Sequence, residues 1–340
     1  MARKRRYWGL ITPMPAATLA AVARQSEAAG LEGLWAPQLW GPPFVAMAAA
    51  AMATERVKLG SGVALAFVRS PLETASAALD IDTLSGGRCV LGIGPSVRWW
   101  NEDWYGVHYG KPIPHLREVV QTVRTIIRDG HSGALGRVGG EYTRLNLDRF
   151  QTLGPPARPD IPIYLPAIYE TAIRLSGEIG DGLASHPIWC ERWILDKVKP
   201  NLDEGLARAG RPRADFDFTC WLWVAPGPDK RECIEDARST VIFYALHRQY
   251  ERYFAECGFG KEAGAIADAS EAKDTAAMRR ICSDEMVETF ALVGPADEVR
   301  KRVDRLDDLA DSFTLCAPVT GLPVEKIGMY NQRIAEAFYL

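Results

Sequence analysis

Between Val57 and Arg117 the chain carries two short apolar runs, each stopping in small, flexible residues, with one helix between them. The first, Val57 to Leu65 (VKLGSGVAL), gives way to Arg69 and Pro71. The alanine-rich stretch Leu72 to Leu84 predicts a helix, which the pair Gly86-Gly87 stops. The second apolar run, Cys89 to Ile93, ends in Gly94-Pro95-Ser96, where backbone can come close to a ligand. This is a β–α–β unit. In parallel α/β proteins the C-terminal ends of such strands are where chemistry sits.

The same rhythm continues along the chain. Strands are predicted at 7–11, 33–36, 57–65, 88–93, 161–165, 181–185, 216–224 and 312–316. Helices are predicted at 18–29, capped by Thr18, and at 44–54, 72–84, 114–128, 170–179, 191–209 and 296–309. A last amphipathic segment spans 324–338. The Gly- and Pro-rich stretch 132–159 predicts a hairpin or long loop, and 229–285 a charged helical segment with a glycine-rich break near 258–264. Eight alternations without a second composition regime predict an α/β chain forming one (β/α)8 TIM barrel over residues 1–340. Insertions follow strands four and seven, the second at about 229–290. The rival, a doubly wound open sheet, needs its glycine-rich turn after strand one, and this chain has none there.

Bulk properties exclude several classes. A net charge of −3 points to no nucleic-acid partner. No apolar run reaches the roughly 18 residues of a membrane helix. The seven cysteines are scattered and never spaced C-x-x-C, which suits a reducing cytoplasm and disfavours a disulfide framework or zinc site. No HxH or HExxH spacing occurs, so no metal is expected. The basic run Arg3-Lys4-Arg5-Arg6 lacks the h-region of a signal peptide and reads as a solvated tail, or alternatively as an anchor for an acidic coenzyme tail.

Each strand end offers different groups. Gly60-Ser61-Gly62-Val63 suits an ordinary strand with glycines for close packing. Gly92-Ile93-Gly94-Pro95-Ser96 fails as a dinucleotide fingerprint, because Val97 stands at the third glycine position, but it offers the Ser96 hydroxyl and an open approach. Trp99, Trp100 and Trp104 follow in a loop, where they wall an apolar pocket or pack on one another. Strand five runs through Ala167, Ile168 and Tyr169 into a helix starting at Glu170, whose N-terminal amides face the ligand end. His186 ends strand six and is either a proton donor or a structural histidine. Gln38 ends strand two and can hydrogen-bond a ring carbonyl or substrate, but does no acid–base work. Arg117 and Glu118 read as an ion pair or cap beside the barrel. No GxSxG or convincing cysteine setting supports nucleophilic catalysis.

The pieces LGSGV, the arginine-to-proline step at Arg69 and Pro71, LSGGR and LGIG resemble the luciferase-like superfamily of flavin- and deazaflavin-dependent oxidoreductases. So do Pro162 to Pro187 and Phe290 to Leu306. The phrases ALAFVRSP, HP with ERW, and EGLARAGRPRADF are most similar to members that use the deazaflavin coenzyme F420. The resemblance implies a non-prolyl cis peptide at Gly62-Val63 behind the coenzyme ring. It assigns the coenzyme to Gly62, Val63, Leu65, Gly94, Pro95, Ser96, Ala167, Ile168, Tyr169 and Glu170, with the coenzyme phosphate at the helix start, where Glu170 must point away. Many relatives carry an acid and a histidine where Gln38 and Leu39 stand, so this chain departs from that pattern.

These readings together imply an F420-dependent oxidoreductase that passes a hydride between the deazaflavin C5 and an apolar or aromatic small molecule of the enone, imine or ketone type. Trp8, Trp40, Trp99 and Trp104 are the candidate pocket walls, and His186 is the candidate proton donor. Two alternatives remain: an FMN-dependent luciferase-like monooxygenase, and a barrel that binds flavin or deazaflavin without turnover. A homodimer through barrel helices is expected, with the alanine-rich helix in close contact.

Overall fold

A computed structural model describes residues 5–39 and 41–340. Among these, eight parallel strands follow one another around a closed ring: β1 (Arg6–Leu10), β2 (Gly33–Ala36), β3 (Lys58–Ser61), β4 (Cys89–Gly94), β5 (Ile163–Ala167), β6 (Gly182–Ser185), β7 (Asp217–Pro226) and β8 (Ser312–Cys316). Each pairs with the next in the sequence, and β8 returns to β1 with Tyr7 opposite Phe313. The expected (β/α)8 barrel is therefore present. A short strand, Ala64–Leu65, lies beyond a break in β3 and pairs with the end of β4.

The first helices are α1 (Ala16–Ala28), α2 (Pro43–Ala53), α3 (Pro71–Ser85), α4 (Pro112–Asp129) and α5 (Glu170–Ile179). Local sequence explains α3 well. The Ser70 hydroxyl accepts the Glu73 amide at 3.1 Å, Pro71 opens the first turn, and Gly86 ends the helix at φ 66°. The LSGGR motif is structural: the Arg88 guanidinium donates to the carbonyls of Ala51, Thr54 and Val57, closing the end of α2 against β4.

Several boundaries differ from expectation. Helix α1 starts at Ala16 behind Pro15, whose fixed φ turns the chain early, and Thr18 caps nothing. Strand β7 runs to Pro226 because its last three residues pair with a short strand, Leu292–Gly294. The helix expected to reach Leu309 ends at Asp304. Arg5 and Arg6 are not a solvated tail: Arg5 pairs with Asp304 and Asp307, and Arg6 lies 2.9 Å from Asp217 and 3.4 Å from Glu32. Arg3 and Lys4 lie outside the described residues.

Both insertions fall where the alternation breaks. The first carries an antiparallel hairpin, Arg137–Gly139 with Arg144–Asn146. Its turn rests on Glu118, whose carboxylate accepts the amides of Glu141, Tyr142 and Thr143 at 2.6–3.1 Å, while Arg117 pairs with Glu178. The second contains helices Lys230–Ala245, Glu251–Glu256, Gly260–Glu271, Thr275–Ile281 and Asp284–Phe290. All seven cysteines are buried and free. No helix among the described residues is long and apolar enough to cross a membrane.

Candidate active site

An aromatic floor fills the inside of the barrel. Trp8 stacks on Trp35 with ring centroids 4.2 Å apart, and Trp35 meets Tyr164 at 5.7 Å and Trp221 at 5.9 Å. Three of the four rings lie over a glycine in register on the next strand: Trp8 over Gly33, Trp35 over Gly60, Tyr164 over Gly182. A Cβ on Gly33 would meet Trp8 at 2.3 Å, and one on Gly60 would meet Trp35 at 2.2 Å. Large-against-small pairing is how a barrel fills its interior. Trp8 is thus a core residue at 0% exposure, not the pocket wall expected for it. Trp40 lies outside the described residues.

Above the floor stand the C-terminal strand ends. The Gly62-Val63 peptide is cis, at the step the resemblance singled out. A Cβ on Gly62 would meet the Trp221 ring at 2.9 Å, so this step rests directly on the floor. At the end of β4, Ser96 takes a left-handed φ of 57°, a conformation that non-glycine residues seldom hold outside constrained sites. The loop enforces it. The Ser96 carbonyl accepts the Tyr109 hydroxyl at 2.8 Å, and the buried Asn101 amide donates to the carbonyls of Pro95 and Val97 at 2.9 and 2.8 Å. The Ser96 hydroxyl itself, half-buried at the mouth, has no partner among the described residues.

Gln38 is a hub rather than a free probe. Its Oε1 accepts the Leu65 amide at 3.0 Å and Arg69 Nη1 at 2.8 Å, and its Nε2 donates to the Tyr105 hydroxyl at 3.2 Å. It thereby ties the ends of β2 and β3 to the loop after β4. In that loop Trp100 stacks on Trp104 at 4.8 Å and Trp99 meets Trp104 edge-on, also at 4.8 Å. The indoles pack on one another, one of the two expected arrangements, and Trp99 and Trp104 stay 37% and 58% exposed.

The second insertion docks on the ends of β5 and β6. The Tyr169 hydroxyl donates to the Gln249 carbonyl at 2.7 Å. Glu170, at the start of α5, turns aside to Arg252 at 3.0 Å, which offsets its charge at the helix start. The buried Tyr253 hydroxyl accepts the Cys190 amide and donates to the Ile188 carbonyl, both at 2.8 Å. His186 Nδ1 accepts the Ile188 amide at 3.3 Å, which places the ring proton on Nε2, 3.2 Å from the Tyr250 hydroxyl. Burial lowers the His186 pKa to about 3, so the ring is neutral near pH 7. Ala167 and Leu65 are buried and shape the mouth through backbone, while Ile168 and Tyr169 are half-buried there.

The strand ends singled out from the sequence lie together at one end of the barrel, and four further residues, not singled out as site residues, bond there. Arg69, Tyr105, Tyr250 and Tyr253 act through contacts 31 to 67 residues away in the chain. The visible signal was composition: three tyrosines and a histidine between Tyr244 and Tyr253, in a segment otherwise charged. Two surface concavities, along the hairpin and beside Arg231 and Asp284, contain none of the strand-end residues.

Comparison with known proteins agrees with this geometry. A protein of Mycobacterium tuberculosis, provisionally called a coenzyme F420-dependent oxidoreductase, is 31% identical over 314 residues, covering 87% of this chain and 88% of its own. The 5,10-methylenetetrahydromethanopterin reductase of Archaeoglobus fulgidus is 32% identical over 264 residues, 75% of each chain. The coenzyme F420-dependent tetrahydromethanopterin reductase of Methanopyrus kandleri shares the fold at TM-score 0.81 and 21% identity, over 99% of this chain and 100% of its own. The family model for luciferase-like monooxygenases matches residues 4–312, and the chain belongs to that family.

Proposed function

We propose that this protein is a coenzyme F420-dependent oxidoreductase acting on an apolar or aromatic small molecule of the enone, imine or ketone type. The observation that carries the reading is the mouth itself. Half-buried Val63, Ile168, Trp223 and Tyr244 surround the strand ends over a solid aromatic floor, beside a Ser96 hydroxyl that no described residue engages. These residues fit a planar ring with a polar side chain. The relative of Mycobacterium tuberculosis, provisionally called coenzyme F420-dependent, favours the deazaflavin over a flavin.

Bound F420 would supply a hydride at C5 of its ring. Gly62, Val63 and Leu65 would hold one face and edge, with Gly94, Pro95 and Ser96 beside them. Ala167, Ile168, Tyr169 and the amide of Glu170 would take the phosphate side. The floor of Trp35 and Trp221 excludes water from below, and Trp99 and Trp104 would wall the substrate. His186 holds its proton on Nε2 and orients the Tyr250 hydroxyl; the pair would supply the polar contact to the reacting atom. The homodimer would use the outer face of α2 and α3, where Val45, Met52 and Leu84 are exposed; sedimentation velocity tests it.

The family's own description, a monooxygenase, favours one other reading, an FMN enzyme that consumes oxygen. Equilibrium fluorescence titration of the purified protein with F420 and with FMN separates the two. Tight F420 and weak FMN binding, with no oxygen uptake in turnover, is the expected result. The reverse pattern makes the protein a flavin monooxygenase, and binding of neither removes the proposal.

A further inference from the structure

Arg69 differs from most half-buried arginines of this protein; Arg333, which also lacks a carboxylate among the described residues, lies over the Tyr330 ring beside the Pro226 carbonyl. Arg6, Arg158 and Arg302 each face a carboxylate. Arg88 spends its donors on backbone carbonyls. Arg69 has the Gln38 amide oxygen at 2.8 Å and the Phe44 ring, 5.6 Å from its central carbon, and no carboxylate within ion-pair distance among the described residues. Its environment is desolvating, and Glu73 acts on it only through space.

Gln38, 4% exposed, fixes where the remaining donors point. Its Oε1 accepts from Leu65 and Arg69, and its Nε2 donates to Tyr105. The Tyr105 oxygen thus accepts a hydrogen bond from Gln38 Nε2, and its own O–H has no acceptor among the described residues. Tyr105 is 42% exposed, and Leu39, at 49%, and Trp104 add apolar surface in the same loops. The cluster therefore offers guanidinium N–H groups and a phenol O–H, with no acceptor left over. That set complements an oxyanion.

We propose that Arg69 and Tyr105, aimed by Gln38, form a subsite for the carboxylate of an otherwise apolar substrate. The inference rests on the reading that the substrate enters at this mouth. F420 also carries phosphate and carboxylates, so the test separates the two sources.

trans-Cinnamate and cinnamamide, alike except in charge, serve as probes in tryptophan-fluorescence or calorimetric titrations. Wild type, R69K, R69Q and Y105F are titrated with each, and with F420 alone. Wild type is expected to prefer cinnamate about tenfold or more, as a charge-assisted contact would give. R69Q should lose the preference, R69K keep part of it and Y105F lose about fivefold, all with F420 affinity within about twofold of wild type. A cinnamate preference that survives R69Q, or is absent from wild type, overturns the proposal. So does an F420 affinity that falls in R69Q while cinnamate binding does not, which hands the guanidinium to the coenzyme. Wild type that prefers cinnamate but does not bind F420 keeps the subsite and removes the coenzyme reading.

Discussion

Tyr253→Phe isolates what holds the second insertion on the barrel. The ring at 0% exposure packs against Trp193 and Phe290 and is retained in the variant, so no cavity forms. Only the hydroxyl goes. It alone receives the Cys190 amide and reaches the Ile188 carbonyl, both at 2.8 Å in a buried place. Each buried group left without a partner costs about 1–3 kcal/mol, so the pair should cost about 2–6 kcal/mol. Hydrogen exchange followed by mass spectrometry on peptides spanning 186–195 reads this directly. At 1.36 kcal/mol per factor of ten, exchange at Cys190 should quicken at least roughly 30-fold and up to about 25,000-fold. The phenol pKa is raised well out of reach by burial, so the effect should not vary with pH. Tyr250→Phe is the control: its hydroxyl is bonded to His186 and its side chain is half-buried, so about 0.5–1.5 kcal/mol is expected. Exchange in Tyr253→Phe within about twofold of wild type would refute the claim that this hydroxyl clamps the insertion.

Four further outcomes follow from the geometry. His186 has a folded pKa lowered to about 3, so below about pH 6.5 the unfolded chain binds a proton that the folded chain refuses; its contribution is full above that pH and falls by about 1.4 kcal/mol per unit as acid is added. Wild type and His186→Gln should therefore diverge in urea unfolding between pH 7 and 4, and parallel curves would sink the assignment. Gly60→Ala places a methyl 2.2 Å from the Trp35 ring and should destabilise by about 1–3 kcal/mol in the same assay, where no change would mean the floor is loose. Cys190 and Cys257 lie sulfur to sulfur at 3.6 Å, with Cys190 the more acidic because it accepts the other thiol; diamide should take their two hydrogens and link them, whereas persistent free thiols on peptide mapping would contradict the contact. Gln38→Glu should pair its carboxylate with Arg69 and erase the cinnamate preference in titration, and a retained preference would remove Gln38 from the subsite.

The barrel was legible because its signals are local. Alternation, the Arg69-to-Pro71 step and Gly86 stop, and the helix start at Glu170 are each written within a few residues. What was not legible depends on register and on distant partners. Trp8 reads from sequence as an aromatic near a strand end, and only its pairing with Gly33 puts it inside the barrel. Once a barrel is assumed, an aromatic on one strand and a glycine on the next form a readable pair, as Trp35 with Gly60 and Tyr164 with Gly182 repeat. The insertion gave no such handle, since Arg252 and Tyr253 meet Glu170 and Cys190 only after the fold brings them together.

Gln38 shows why a missing motif can carry information. In sequence it departs from the acid that the family resemblance leads one to expect there. In the structure the same amide accepts on one side, from Leu65 and Arg69, and donates on the other, to Tyr105. A carboxylate could accept from Leu65 and neutralise Arg69, but it could only receive a proton from Tyr105, turning that O–H inward. The amide leaves both the guanidinium charge and the phenol proton available to something outside. The departure at Gln38 thus trades acid–base capacity for a pair of outward donors, and so shifts what this mouth can recognise, from a proton to be removed to an anion to be held.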